Sequence, residues 1–486
     1  MHRWIALALV FFASAAILVL EIMAGRMLAP YLGVTLETFT GIIGTVLAGI
    51  SLGAWLGGRL ADKRDPGTLL GPLLIAGGAF TLLSPTMVRW IGPTARAAGP
   101  IEIVMAAAIG FFLPALVLSA VAPAVVKMQL QDLGETGEVV GGFSAMSSAG
   151  AIFGTFVTGF VLIAAAPSQT VILVVGISLL AVGGLAWFKY GPVPGRQAMM
   201  SVVAIGAIGS GIVTITPTPC ETETAYFCAR VVADENRQSG RSLWLDTLRH
   251  SYVDLDDPTH LEFRYAKVVG DVLAALPDGA LRTLYVGGGG FTFPGYISAT
   301  RPGSTHLVLE LDAALVDIAE RELGLVLSDD LVVEVGDARL GINAAPLDSF
   351  DLVLGDAFGG PSVPWHLTTE EFLTEVAARL TDEGLYVMNL IDYPPSRFSR
   401  AELTTVAAVF PHVLVIAPEP YFDAATGGNF VLVGSKAPIS AEEVMANTIA
   451  RSGVETVLDG EPAKAWARDA AVLRDEFAPV DQLMSR

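Results

Sequence analysis

A chain of 486 residues exceeds one ordinary domain, and 52% hydrophobic residues with a mean hydropathy of +0.57 exclude a purely soluble protein. Formal charge divides the chain near residue 215. The first part carries ten Lys/Arg against eight Asp/Glu and the remainder nineteen against forty-one, a field that repels nucleic acid and mildly favours cationic partners such as amines.

Apolar runs recur at Trp4 to Leu20, Phe39 to Leu60, Leu69 to Ile91, Ile101 to Val126, Val139 to Ala165, Val171 to Phe188 and Met199 to Ile215. Each approaches the ~20 residues a helix needs to cross the hydrocarbon, so residues 1–215 read as a multi-pass α-helical domain of about seven spans in a cell membrane. The first run lacks a small-x-small cleavage site and continues into LEIMAGRMLAPYLG, which favours a retained span over a signal peptide. A cytoplasmic N-terminus puts Arg3, Arg59, Lys63, Arg64, Lys127, Lys189 and Arg196 inside and leaves Arg26, Arg89 and Arg96 in outer loops, as the positive-inside rule prefers. Seven crossings then place everything after Ile215 outside the cytoplasm, where Cys220 and Cys228 become disulfide candidates. Gly49, Gly53 and Gly57, and Gly150 with Gly154, repeat every four residues and suit close helix packing in lipid.

Residues 216–257 read as a connector and a small β-hairpin element. AYFCARVVA has strand character and RSLWLDTLRHSYV resembles a second strand or hairpin. A helix is expected after Pro258, carrying Leu261, Phe263, Tyr265, Val268, Val269 and Val272. Residues 258–486 then form an α/β domain organised around LRTLYVGGGGFTFPGYI. A buried strand runs into Gly287, Gly288, Gly289 and Gly290 and then a helix, an arrangement that lets a nucleotide-like group lie over the first crossover of a parallel sheet. Strand THLVLEL ends at Glu310 and Asp312, and helix Ala313 to Leu323 follows. Strand LVVEV leads to Asp337 with Ala338, and strand FDLVLGDAF ends at Asp356. Helix Glu370 to Leu380 and strand LYVMNLI come next, then VLVIAP and NFVLVGS, while Ala441 to Phe477 reads as terminal helices. This alternation predicts a parallel, doubly wound sheet. Glu310, Asp337 and Asp356 fall at strand ends, where such sheets bind ligands, although an acid there also caps helices. Six scattered His and two Cys form no metal-ligand cluster, so no metal is expected.

On these motifs the sequence resembles the spermidine synthase family, and more closely its membrane-fused bacterial branch, to which LEIMAGRMLAP and GAWLGGRLADKR are similar. The resemblance implies a small β-element before a Rossmann-like sheet of the class I S-adenosylmethionine-dependent transferase type. It also implies transfer of an aminopropyl group from decarboxylated S-adenosylmethionine to an amine such as putrescine, S-adenosylmethionine itself being the alternative donor. Carried over, YVGGGG is the glycine loop, Glu310 the ribose-binding acid with Asp312 beside it, Asp337 the adenine-binding acid, and Asp356 the acid that holds and deprotonates the amine. His250, Tyr265, Trp365 and His366 would line the acceptor pocket. LWLDTLRH and HLTTEEF match flanking stretches.

Three departures stand out. The loop reads GGGGFTFP without an Asp, Gly359 occupies the place of a second catalytic-loop Asp, and Tyr265, Ala266, Lys267 replace a Tyr-His-Glu triplet. A polyamine needs a carboxylate at each end. Because S-adenosyl compounds are cytoplasmic, an outward-facing domain also suggests a second function. In that reading an extracytoplasmic enzyme uses the same base without an S-adenosyl donor, activating a polypeptide N-terminal amine for cyclisation or acyl transfer. A third is a noncatalytic membrane scaffold, and a homodimer stays open for all three.

Overall fold

A computed structural model describes residues 1–95, 99–130, 136–191, 196–215, 217–360 and 362–484; Arg96 and Thr216 lie outside them. The chain divides into two compact units, Met1–Arg230 with Leu245–Thr247, and Val231–Trp244 with Leu248–Arg486.

In the first unit, six helices are long and apolar enough to cross a membrane: α1 (Arg3–Leu32), α2 (Leu36–Lys63), α3 (Gly67–Ala95), α4 (Pro100–Gln129), α5 (Thr136–Ala165) and α6 (Ser168–Tyr190). The seventh expected run is also helical, α7 (Arg196–Ile215), and its described apolar stretch is the shorter Ala204–Ile215. The glycine repeats lie where backbones meet. A Cβ at Gly57 would fall 2.6 Å from Ala120 Cα, and one at Gly150 would fall 2.9 Å from Phe11 Cα, so α2 rests on α4 and α5 on α1 with no room for a side chain between them. Beyond α7, Cys220 and Cys228 form a disulfide. Glu223 of β1 (Thr222–Glu223) pairs with Arg26 of α1 at 3.1 Å and accepts from Ser168 N at 3.1 Å. An arginine that the sequence leaves at a membrane boundary is thereby neutralised within its own unit.

The small β-element comprises β1, β2 (Cys228–Ala233), β3 (Gly240–Leu245) and β4 (Leu248–Asp254), in that spatial order. The α/β unit is built on eight strands. They are β5 (Arg282–Val286), β6 (Thr305–Glu310), β7 (Leu331–Val335), β8 (Phe350–Gly355), β9 (Leu380–Asp392), β10 (His412–Pro418), β11 (Gly428–Ser435) and β12 (Glu455–Asp459), arranged β12-β10-β11-β9-β8-β5-β6-β7. The apolar run of β5 is buried from Thr283 to Val286 because both its neighbours are strands, whereas β7 at the sheet edge leaves Val332 and Val335 exposed. Beneath the sheet, Phe350, Phe372, Tyr386, Phe398 and Phe410 anchor a continuous apolar core.

Three expectations need correction. The sheet is mixed: β7-β6-β5-β8-β9 run parallel, but β11 pairs antiparallel with β9 and β10. The stretch from Pro418 to Gly428 is shorter than the dozen or more residues a parallel crossover requires, so β10 and β11 form a hairpin. The helix after Pro258 begins at Arg264, with Phe263 as its N-cap residue and Leu261 before it. The terminal segment contains strand β12 between helices Ala441–Ala450 and Gly460–Trp466, because ETVLD finds the open edge of β10.

Replacing Gly57 with Val should destabilise the helical unit by about 1–3 kcal/mol through overpacking against Ala120. Thermal unfolding of the detergent-solubilised chain would register it as a lower melting temperature, and an unchanged one would refute the close packing.

Candidate functional site

The three central parallel strands β6, β5 and β8 end at one level, and the glycine turn leaves from the middle one. Gly287 takes φ +97° and Gly289 φ +53°, conformations that L side chains rarely adopt. A Cβ on Gly287 would lie 2.7 Å from the carbonyl oxygen of Asp356 and 3.2 Å from Ala357 Cα. The turn can therefore lie directly against the chain leaving β8 only because it has no side chain there. Gly290 N donates to Ser251 Oγ at 2.9 Å, which ties the turn to β4.

Glu310 ends β6 beneath this turn. Its Oε2 accepts from Gly288 N (2.8 Å) and Gly289 N (3.2 Å), and its Oε1 accepts from Asp312 N (2.9 Å). Burial raises its pKa, and the three backbone donors oppose that rise by stabilising the ionised form. Asp312 caps helix Ala313–Glu322 through Oδ1, accepting from Ala314 N at 3.1 Å. Its Oδ2 is buried and makes no hydrogen bond. An orphaned acceptor beside Glu310 fits a ligand hydroxyl. Asp337 likewise caps helix Ala338–Ala344, accepting from Arg339 N (2.9 Å) and Leu340 N (3.2 Å) on Oδ1. Its other oxygen lies 3.2 Å from His366 Nε2.

Asp356 differs from both in capping no helix. Tyr265 OH donates to its Oδ2 at 3.0 Å and Asn389 Nδ2 to its Oδ1 at 2.8 Å, while Asn429 Nδ2 donates to Asn389 Oδ1 at 2.9 Å and so orients that amide. Burial lifts the Asp356 carboxyl to about 6 against the pull of these two hydrogen bonds. Burial and the adjacent carboxylate hold the Tyr265 hydroxyl well above its ordinary range, so it remains a donor. His250 is pushed down to about 4 by burial and is neutral near pH 7; its Nδ1 lies 3.2 Å from Ser251 Oγ and its ring 6.4 Å from that of Phe358.

Of the four residues expected around the amine, Tyr265 touches Asp356 and His250 stands beside the glycine turn. His366 lies instead on Asp337, with half-exposed Trp365 stacked edge-on to it at 5.8 Å. Asn389 and Asn429 escaped sequence reading. The signal present was a lone amide inside the apolar run LYVMNLI, where a buried polar group demands a partner. Among the described residues, no group of three His, Cys, Asp or Glu is placed to hold a metal.

No family model matches the chain. A Vibrio vulnificus protein named polyamine aminopropyltransferase is 28% identical over 217 residues, covering 42% of this chain and 69% of the relative. A Chromobacterium violaceum protein of the same name is 26% identical over 160 residues, covering 32% of this chain and 60% of the relative. Among solved structures, a probable spermidine synthase from Corynebacterium glutamicum superposes with a TM-score of 0.51 at 26% identity, over 55% of this chain and 99% of that one.

The Asp356 geometry has a consequence for stability. An unfolded aspartate titrates near 4 and this one at about 6, so between those values the fold binds the extra proton. Its stabilisation is complete below about pH 4 and is lost as pH rises through about 6. Asp356→Asn should therefore melt above the parent at about pH 8 and lose part of the pH dependence between about 4 and 7. Calorimetric melting across that range checks both.

Proposed function

From the premise that the α/β half of this chain is a relative of the spermidine synthase family, a transferase, we propose that it moves an aminopropyl or related alkyl group from an S-adenosyl donor to an amine. The observation that carries the reading is Asp356, held by Tyr265 and Asn389 against the backbone of the glycine turn.

Decarboxylated S-adenosylmethionine, or S-adenosylmethionine, supplies when bound a carbon activated by a sulfonium. The turn Gly287 to Gly290 would pass beneath the nucleoside. Glu310 keeps the turn in place and, with the orphaned oxygen of Asp312, offers acceptors to ribose hydroxyls. Asp337 and Ala338 would face the adenine, and the outer oxygen of Asp337 would exchange His366 for an exocyclic amine. Asp356 then does the chemistry. Each carboxylate oxygen keeps roughly one acceptor direction after Tyr265 and Asn389 are served, enough to orient an ammonium and take its proton. A carboxyl titrating at about 6 is ionised near neutrality yet more basic than a free aspartate.

We also propose that the six long apolar helices anchor the protein as a multi-pass membrane protein; from a cytoplasmic N-terminus, six crossings leave the α/β half beside a cytoplasmic donor, whereas α7 as a seventh crossing leaves it on the extracytoplasmic side. The charge distribution of the loops and the Cys220–Cys228 disulfide support the seven-crossing, extracytoplasmic placement. The disulfide also favours the second reading, in which Asp356 activates an amine such as a polypeptide N-terminus without an S-adenosyl donor; the relatives found lend that reading nothing. An alkaline phosphatase reporter fused to the C-terminus separates them: activity places the α/β half outside, away from a cytoplasmic S-adenosyl donor, and counts against the transferase, while a silent reporter removes the case for the donor-free enzyme.

Turnover of an S-adenosyl donor should rise with pH through about 6 as Asp356 ionises. Asp356→Asn should lower kcat by about 10²–10⁴-fold while methylthioadenosine binding stays within about threefold of the parent. Glu310→Ala should do the reverse and weaken nucleoside binding first. Calorimetry paired with a methylthioadenosine-release assay reads both, and full activity in Asp356→Asn would defeat the proposal.

A further inference from the structure

The carboxylate that faces the amine has hydrogen-bonding neighbours but no charged ones. Among the described residues, Asp356 forms no ion pair, and what acts on its charge is burial, Asn389 and Tyr265. The surroundings are aromatic and hold a cation rather than a second acid: the Tyr265 ring lies 5.9 Å from that of Phe263 and 6.2 Å from that of Phe293, the Arg249 guanidinium lies over the Phe263 ring at 5.0 Å, and His250 stands beside Phe358. Glu262, the acid closest in sequence to Tyr265, is engaged by Arg249 at 3.5 Å and His260 at 3.4 Å. Gly359, three residues beyond Asp356, brings no carboxylate, and a Cβ added to it would meet nothing nearer than 3.9 Å.

One negative charge balances one ammonium. A diamine bound here would bury its second ammonium without a counter-ion, which is strongly disfavoured, and ring faces return only a small part of what a carboxylate would. An apolar chain or ring loses nothing among these aromatics and gains by leaving water.

We infer that the acceptor at this site is a primary amine bearing a single positive charge and an apolar or aromatic tail, not a diamine. This rests on the transferase reading above. In the transfer, the ammonium gives one proton to the Asp356 carboxylate and the freed nitrogen lone pair forms a bond to the donor carbon. The carbon–sulfur bond breaks with its electron pair going to sulfur, leaving a neutral thioether and a secondary ammonium that carries the positive charge formerly on sulfur.

The test uses the full chain in detergent micelles with decarboxylated S-adenosylmethionine, comparing hexylamine and phenethylamine with putrescine by methylthioadenosine release. The expected kcat/KM is at least about tenfold higher for the monoamines. Putrescine equal to or better than both overturns the inference, as does methylthioadenosine binding with no amine accepted. Absence of both turnover and methylthioadenosine binding strikes the transferase reading itself. Gly359→Asp should raise putrescine relative to hexylamine by about tenfold or more. An unchanged ratio in a folded variant would show that a missing carboxylate is not what excludes the diamine.

Discussion

The site depends on one close approach, that of the backbone after β5 to the backbone after β8. Two hydrogen bonds fix it on either side: Gly287 N donates to Leu309 O at 2.9 Å and Asp356 N donates to Val286 O at 3.0 Å. These continue the parallel ladders one step past the strands, so the chain leaves all three strand ends at the same height. Without a Cβ at Gly287 the two segments touch, and Glu310 and Asp356 then stand on either side of the same turn. Any side chain at that position would force the segments apart and separate Glu310, which fixes the turn, from Asp356.

Much of this was legible because it rests on local rules. The strand, the four glycines and the acids at the following strand ends are consecutive in sequence, and their meaning follows from how parallel sheets present their carboxyl ends. The less legible parts are non-local. The Asn429–Asn389–Asp356 relay joins β11, β9 and the loop after β8, and it exists only because β11 inserts as an antiparallel strand beside β9. Nothing in NFVLVGS states which strand it will meet. The ETVLD strand similarly lacks the long apolar run that would distinguish it from a helix end, and it is recruited by the free edge of β10.

The acids themselves divide by what else they do. Asp312 and Asp337 each spend one oxygen on capping a helix and keep the other off the helix, buried without a partner on Asp312 and beside His366 on Asp337, so the capping account does not exclude the ligand-binding one. Sequence alone presents those accounts as rivals. His366 reflects the same economy: expected among the residues lining an acceptor pocket, it is carried by the short helical turn Trp365–Leu367 to Asp337.

Asp356 is the acid with no structural duty, and its surroundings make ionisation costly. Burial opposes the charge, and two neutral donors return part of what water would have given. A fold selected only for stability would place an apolar residue between Tyr265 and Asn389, because removing both a buried charge and the need to solvate it is often stabilising. Asn389 and Asn429 would then be left as buried amides with less to bond. Each Asp356 oxygen keeps an acceptor direction that Tyr265 and Asn389 do not use. On the transferase reading, the substrate ammonium is the group that would fill those directions and offset the charge.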